Sequence, residues 1–183
     1  RSLHPEINLE IVTTNGFLNP SKREADLAVM LARPVKGPLI ARKLANYSLG
    51  LYASGEYLDA HSQPKAVDDL KQHILIGYIP DFIYAEELRY LPEIDDSLVP
   101  TLSSTSINVQ HAMTRSGLGI SVLPNFIGAL DNTLRPILPV IQIRRSFWVV
   151  VHRDLAGVAR VRAVIDWLDT LIQTRSGKLK IFD

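Results

Sequence analysis

The chain has 183 residues, 46% hydrophobic and 21% charged, an ordinary globular composition that suits one large domain or two small lobes with a sizeable core. Twenty Lys+Arg against nineteen Asp+Glu leave a net charge of +1, which argues against a broad basic face for nucleic acid. There is no cysteine, which excludes disulfides, thiolate nucleophiles and Cys-ligated metals; no apolar run reaches membrane-spanning length, and no signal-peptide pattern opens the chain.

Residues 7–12 (INLEIV) alternate apolar and polar before an apolar pair and predict a strand, which ends in the turn Thr13-Thr14-Asn15-Gly16. A polar connector over 20–24 leads to residues 26–32, apolar on both faces like a buried parallel strand. Two prolines and a glycine make 33–38 a loop. Residues 39–53 predict a strand around Leu44 and a separate apolar stretch at 49–53. Ser54 is a plausible N-cap for a short helix carrying Tyr57 and Leu58, and Pro64 begins another that leads to His73. Residues 74–79 are a strand halted by Pro80, followed by a loop at 81–84, a brief helix at 85–91 and a strand at 97–102.

Residues 101–124 carry the most information. A hydroxyl-rich run, Ser103-Ser104-Thr105-Ser106, stands at the mouth of a helix in which Val109, Ala112 and Met113 recur at helical spacing. Gly117 is a natural helix stop, and an apolar strand at 120–123 breaks at Pro124. Strand, hydroxyl-bearing turn, helix, Gly-x-Gly and strand predict a parallel βαβ unit. Its helix N-terminus could receive a small polar or anionic ligand, or could simply be capped by the hydroxyls. A short helix at 125–130, a stretch at 134–140 broken by two prolines and a long strand at 141–152 follow. Val158, Val161, Val164, Ile165, Leu168, Leu171 and Ile172 then trace one apolar helical stripe, expected to pack on the core, before a tail at 176–183.

Catalytic patterns fail on spacing or on a missing member. His4, His61, His73, His111 and His152 form no compact ligand set, so no metal site is expected. Gly119-Ile120-Ser121 lacks the second glycine of a nucleophile elbow, because Leu123 stands there, and Ser121 reads as a strand residue. Gly117-Leu118-Gly119 precedes a strand and lacks a third glycine, which rejects a dinucleotide fingerprint. What remains is a set of loops, each after a strand, with groups suited to ligand contact: 13–15, the end of 26–32, 78–84 and 103–107. In open α/β sheets ligands lie outside the carboxyl ends of strands. Binding is favoured over catalysis, and the chain is expected not to be an enzyme or to need a cofactor.

Six segments in order carry a resemblance to a known family. They are His4-Pro5-Glu6 leading to Leu9, residues 24–29 (EADLAV), 53–58 (ASGEYL), 69–76 (DLKQHILI), 117–124 (GLGISVLP) and 161–168 (VRAVIDWL). The chain resembles the effector-binding domain of LysR-type transcriptional regulators over nearly its whole length. The resemblance implies an α/β, two-lobed fold of the periplasmic-binding-protein type, with lobe I at 1–76 and 151–183, lobe II at 77–150 and crossover strands near Gly77 and Val151. It implies a small-molecule effector between the lobes, a carboxylate or an aromatic metabolite. The contacts carried over are Thr13 and Thr14, Met30 or Leu31, Pro80 and Phe82, and Ser104, Thr105, Ser106 and Ile107; Tyr78 joins them as an aromatic wall. It also implies a cytoplasmic dimer or tetramer that reaches DNA only through a separate helix-turn-helix domain, with no membrane contact. The family's first strand, its ligand loop and its first helix are expected to be absent, leaving a half-built cleft. A solute-binding protein of a transport system is the alternative on the same fold.

Overall fold

In a computed structural model, which describes residues 4–13 and 20–179, the chain folds around one mixed seven-stranded sheet flanked by helices. The strands are β1 (Ala28–Met30), β2 (Leu39–Ser54), β3 (Leu75–Gly77), β4 (Leu102–Ser103), β5 (Ile120–Pro124), β6 (Leu134–Ile137) and β7 (Ile143–His152). Their order is β1-β7-β2-β5-β3-β4, with β6 also paired to β2. The helices are α1 (Gly55–Ala60), α2 (Tyr90–Ile94), α3 (Ile107–Arg115), α4 (Asn125–Gly128) and α5 (Ala159–Leu179).

The two apolar stretches expected between 39 and 53 are one strand. β2 runs for 16 residues, antiparallel to β7 from Leu39↔His152 to Leu49↔Ile143, with a register shift between Lys43 and Ala45. β1 pairs only with the far part of β7, ending at Met30↔Trp148, and β5 joins β2 only from Leu49↔Pro124 onward. Between these points, residues 45–48 and 144–147 form a bare two-stranded ribbon. A bulge in an antiparallel pair bends and twists it, and this one sits where the ribbon leaves the β1 side. Leu49–Tyr52 share the sheet with Ser121–Pro124, and Gly77 lies inside that same half, paired with Ser103.

The expected βαβ unit is present. β3 runs parallel to both β4 and β5, and α3 connects β4 to β5 across it. Gly117 has φ +76, the left-handed conformation expected at the helix stop. Ser54 caps α1, its Oγ accepting the Tyr57 N–H at 3.1 Å. The core lies between the β2/β5/β3 half of the sheet and its helices; Leu49, Leu51, Leu70, Ile120 and Ile137 are fully buried there.

Several expectations are corrected. Residues 7–12 form no strand, and Leu9, Ile11 and Val12 are 54%, 80% and 66% exposed. Their alternation suits a pleat, but no described strand pairs with them, and a strand without a ladder leaves its backbone groups to water. The strand expected at 97–102 is reduced to Leu102–Ser103, and the helix at 85–91 is a 3-10 turn (Glu86–Leu88) followed by α2. The tail begins later than expected, because α5 continues through 176–179. The apolar stripe of α5 buries Val161 fully, while Val164, Ile165, Leu168, Leu171 and Ile172 are only half-buried. On α3 the buried residues are Gln110 and Thr114, whereas Val109 and Ala112 face water. Thr114 Oγ1 donates to the Gln110 carbonyl at 2.8 Å and meets Ser121 Oγ at 2.6 Å, so a polar seam replaces the apolar face.

Candidate ligand-binding site

The carboxyl ends of four strands point toward the bare ribbon. β1 runs from Ala28 opposite Val150 to Met30 opposite Trp148. On the other side β5 runs toward Pro124 opposite Leu49, and β3 and β4 share its direction. Loops leaving both halves of the sheet therefore converge on residues 45–48 and 144–147, where an open α/β sheet presents its ligands.

The loop after β4 is held by Ser104 on three sides. Its N–H donates to the Gly77 carbonyl at 3.0 Å, its carbonyl accepts from Gln110 Nε2 at 3.0 Å, and its Oγ accepts the Ser106 N–H at 3.1 Å. α3 then starts with the Gln110 N–H donating to the Ser106 carbonyl at 3.0 Å. Ser106 occupies the N-cap position without a side-chain cap bond, and the Thr105 hydroxyl has no bond among the described residues. Of the two sequence alternatives, capping by the hydroxyl run is thus not used at the cap itself. The first-turn N–H groups of α3 stay available beside two uncommitted hydroxyls, in the electropositive field of the helix start. Ile107 turns its side chain onto Tyr52, Leu123 and Leu134, so it offers the site its backbone N–H.

The loop after β3 supplies aromatic surface next to this cradle, because Gly77 and Ser103 are register partners. Tyr78 is half-buried against the core and meets Tyr90 edge-on, centroids 5.7 Å apart. Burial pushes its phenol well above the ordinary value. Pro80 opens a 3-10 turn, Pro80–Phe82, and the Phe82 ring is 64% exposed. From the other half of the sheet, Leu31 packs against the same core cluster as Tyr78. Met30 sits opposite Trp148, whose ring carries the Arg33 guanidinium at 5.5 Å and the Lys43 ammonium at 5.9 Å from its centroid. Thr13 lies exposed in the strandless N-terminal segment, and Thr14 falls outside the described residues.

The structure therefore brings Tyr78, Pro80, Phe82 and Ser104–Ile107 onto neighbouring loops, with Met30 and Leu31 across the ribbon. The ribbon carries residues that sequence reasoning missed. Tyr47 stacks on Phe147 at 4.3 Å, Phe126 meets it at 5.8 Å, and burial pushes the Tyr47 phenol up to about 12. Arg145 donates to the Glu87 carbonyl at 2.9 Å, pairs with Glu93 and lies over the Tyr90 ring. The buried Gln110 was legible only as a polar residue one turn before Thr114, a pattern that marks a polar seam as readily as a wet face.

His111 is not directed at the loops; its Nε2 lies 2.9 Å from Asp131 Oδ2 and ties α3 to the segment before β6. Thr133 and this histidine hold the Asp131 carboxyl below its ordinary range, the Thr133 hydroxyl contributing most. Among the described residues no group of three or more His, Asp or Glu could hold a metal, and no helix is long and apolar enough to cross a membrane.

Comparison with known proteins follows the same lines. A family model described as the LysR substrate binding domain matches residues 1–172. CrgA of Neisseria meningitidis serogroup B, an HTH-type transcriptional regulator, is 25% identical over 171 residues, 90% of this chain and 57% of CrgA. The chain thus spans a little over half the length of that relative. The solved regulatory domain of CrgA superposes with a TM-score of 0.81 at 24% identity, covering 93% of this chain and 86% of that one. The regulatory domain of AphB from Vibrio vulnificus gives 0.70 at 24% identity, over 93% and 87% of the two chains. These likenesses establish the two-lobed periplasmic-binding-protein-like fold of type 2.

Proposed function

Because the chain belongs to the LysR substrate-binding domain family, we propose that it is the effector-sensing part of a LysR-type transcriptional regulator, a binding domain and not an enzyme. The observation that carries the reading is the convergence of the β1, β3 and β4 loops on one bare ribbon. An effector held there touches both halves of the sheet and biases their relative arrangement, which is population shift. We take the lobes to divide at the ribbon, residues 49–143 forming one and the segments before 44 and after 147 the other. The boundary at 77 drawn from the family pattern would split β3 from its neighbour β5.

The effector is a small acid with an aromatic or apolar body. The α3 first-turn N–H groups, with the Thr105 and Ser106 hydroxyls, suit a carboxylate, while Tyr78 and Phe82 suit the body. Met30 and Leu31 face it from the opposite lobe. The full regulator is a cytoplasmic dimer or tetramer that contacts DNA through its helix-turn-helix domain. A transport protein on this fold is the weaker reading, since the named relative is a transcriptional regulator.

A thermal-shift and calorimetric screen with benzoate, salicylate and small aliphatic acids tests the site. It uses this chain and one extended N-terminally by about 90 residues, the size of a small DNA-binding domain with a linker. A midpoint rise that Thr105→Ala and Phe82→Ala both reduce supports the assignment. Binding that neither substitution alters refutes it, and a monomeric extended chain at micromolar concentration refutes the switching mechanism.

A further inference from the structure

A cluster of two histidines and a tyrosine lies away from the candidate site, where the end of α1 meets the start of β3. The Ile74 N–H donates into Tyr57 Oη at 3.1 Å, so that oxygen is an acceptor on this side. Tyr57 has one proton to give, and its other partner is His73 Nδ1 at 3.1 Å. That proton is used in a bond only when His73 Nδ1 is unprotonated, and we take the ring in that form, the neutral Nε2–H tautomer. His61 stands in the opposite condition. Its Nδ1 faces the Tyr57 carbonyl at 2.9 Å, an acceptor only, so it carries a proton there. A second proton on His61 at Nε2 breaks no bond, whereas a second proton on His73 must enter at Nδ1 and reverse the Tyr57 bond.

The two rings are close: His61 stacks on Tyr57 with centroids 4.2 Å apart, and the His61 and His73 centroids are 6.3 Å apart. Burial first, and then His61, hold the His73 pKa below the ordinary histidine value, while Asp69 opposes them. Asp69 comes from the 3-10 turn Val67–Gln72, and its carboxylate is already held by the Lys65 and Ala66 N–H groups. Lys71 of the same turn is paired with Asp68 at 2.8 Å. Asp69 therefore favours a charged His73 only from a distance, and no ion pair joins the two among the described residues. The consequence reaches the sheet, because the Ile74 carbonyl accepts the Ile120 N–H at 2.8 Å and joins β3 to β5.

We propose that His73 is an acid-sensitive latch: protonating it reverses the Tyr57 bond, leaves the Tyr57 proton without its partner, and so weakens the hold of α1 on the Ile74 end of β3. The latch is closed while His73 is neutral. A histidine harder to protonate in the fold than in the unfolded chain adds stability that is whole above about pH 6.5 and is lost as pH falls below that value. It gives this half of the sheet a response to mild acid that needs no effector.

The test is nitrogen-detected NMR of the histidine rings of the unmodified chain from pH 8 to 5, with amide exchange of Ile74 and Ile120 measured on the same samples. The latch predicts an Nε2–H tautomer for His73, a midpoint below about 6.5, and Ile74 protection that falls as pH drops from about 6.5 towards that midpoint. The loss should reach about tenfold for each unit by which the folded midpoint is depressed. His73→Asn, which keeps an acceptor near Nδ1 but cannot titrate, should abolish the fall while leaving Ile74 protected. An Nδ1–H tautomer at neutral pH, or Ile74 protection that does not change between pH 7.5 and 5.5, overturns the proposal.

Discussion

Replacing Gly119 by alanine tests whether the β3–β5 junction is as close as the structure has it. A Cβ at this position would stand 2.3 Å from the Ile74 carbonyl oxygen and 3.0 Å from Ile74 Cγ2. Ordinary contacts need at least 3.0 Å to the oxygen, so backbone must move by about 0.7 Å, and the obstacle is a carbonyl that cannot swing aside. That carbonyl holds the Ile120 N–H at 2.8 Å, so the shift loosens a buried ladder bond. A buried backbone group left without a partner costs about 1–3 kcal/mol, and an L-residue at the observed φ of +158° adds about 1–3 kcal/mol of strain. The sum is about 2–6 kcal/mol, centred on about 4 kcal/mol. For a chain of this size each kcal/mol moves Tm by about 2–4 °C, so at the centre of that range Gly119→Ala should melt about 8–16 °C lower. The assay is calorimetry or far-UV circular dichroism, with Gly157→Ala as the comparison. Nothing lies within 4 Å of a Cβ at Gly157, so that variant should stay within about 2 °C of the parent. A Gly119→Ala Tm within about 2 °C of the parent would refute the close approach.

Three further outcomes are expected. Gln110→Met removes the amide that holds the Ser104 carbonyl and should cost about 1–2 kcal/mol in urea unfolding, with faster exchange of the Ser106 N–H; unchanged Ser106 exchange would show that Gln110 does not hold the loop. Asn125→Ala strips partners from the Tyr52 hydroxyl, Ser48 Oγ and Gln142 Oε1 in one step, so about 2–4 kcal/mol should be lost with the denaturant slope unchanged. Asp131→Asn should be less stable than the parent at pH 7, because the folded carboxyl is harder to protonate than the unfolded one. That difference should vanish as pH falls below about 3.9 and through the lower folded value; a gap that persists at acid pH would assign the loss to packing instead.

Local signals in the sequence were strongest where one residue type meets one backbone requirement. Gly117 at the end of α3, Ser54 at the start of α1 and the parallel unit around them were all legible for that reason. The long β2 strand reads as two pieces because Asn46 and Ser48 interrupt its apolar pattern; Asn46 is exposed on a strand whose environment changes midway. Periodicity reports what one face of an element touches, and β2 changes neighbours along its length. The helix α3 misled in the opposite way, since Gln110 and Thr114 are buried by hydrogen bonds that only the folded loop supplies. The loops of the candidate site were legible as positions after strands. Their division of labour was not, because nothing in the sequence separates Ser104 from Thr105, and only the fold gives Ser104 its bonds to the Gly77 carbonyl, the Ser106 N–H and the Gln110 amide.

That division bears on how a ligand could act at a distance. A rigid Ser104 fixes the loop to β3, while Thr105 and Ser106 remain uncommitted, so the site is preorganised without being filled by its own hydroxyls. Among the described residues the two sides of the sheet share continuous backbone pairing only through β2 and β7, and between Met30 and Pro124 no third strand stiffens that pair. Bending there disturbs side-chain contacts more than ladder bonds. The contacts in question are few and large: the Tyr47–Phe147 stack, its edge to Phe126, and Leu31 reaching the same cluster from the β1 side. Packed aromatic contacts of this kind repack in steps, not continuously, which is the property a two-state arrangement of lobes requires. On the proposed function, the ribbon is where the free energy of clamping both loop sets would be converted into a change of lobe angle.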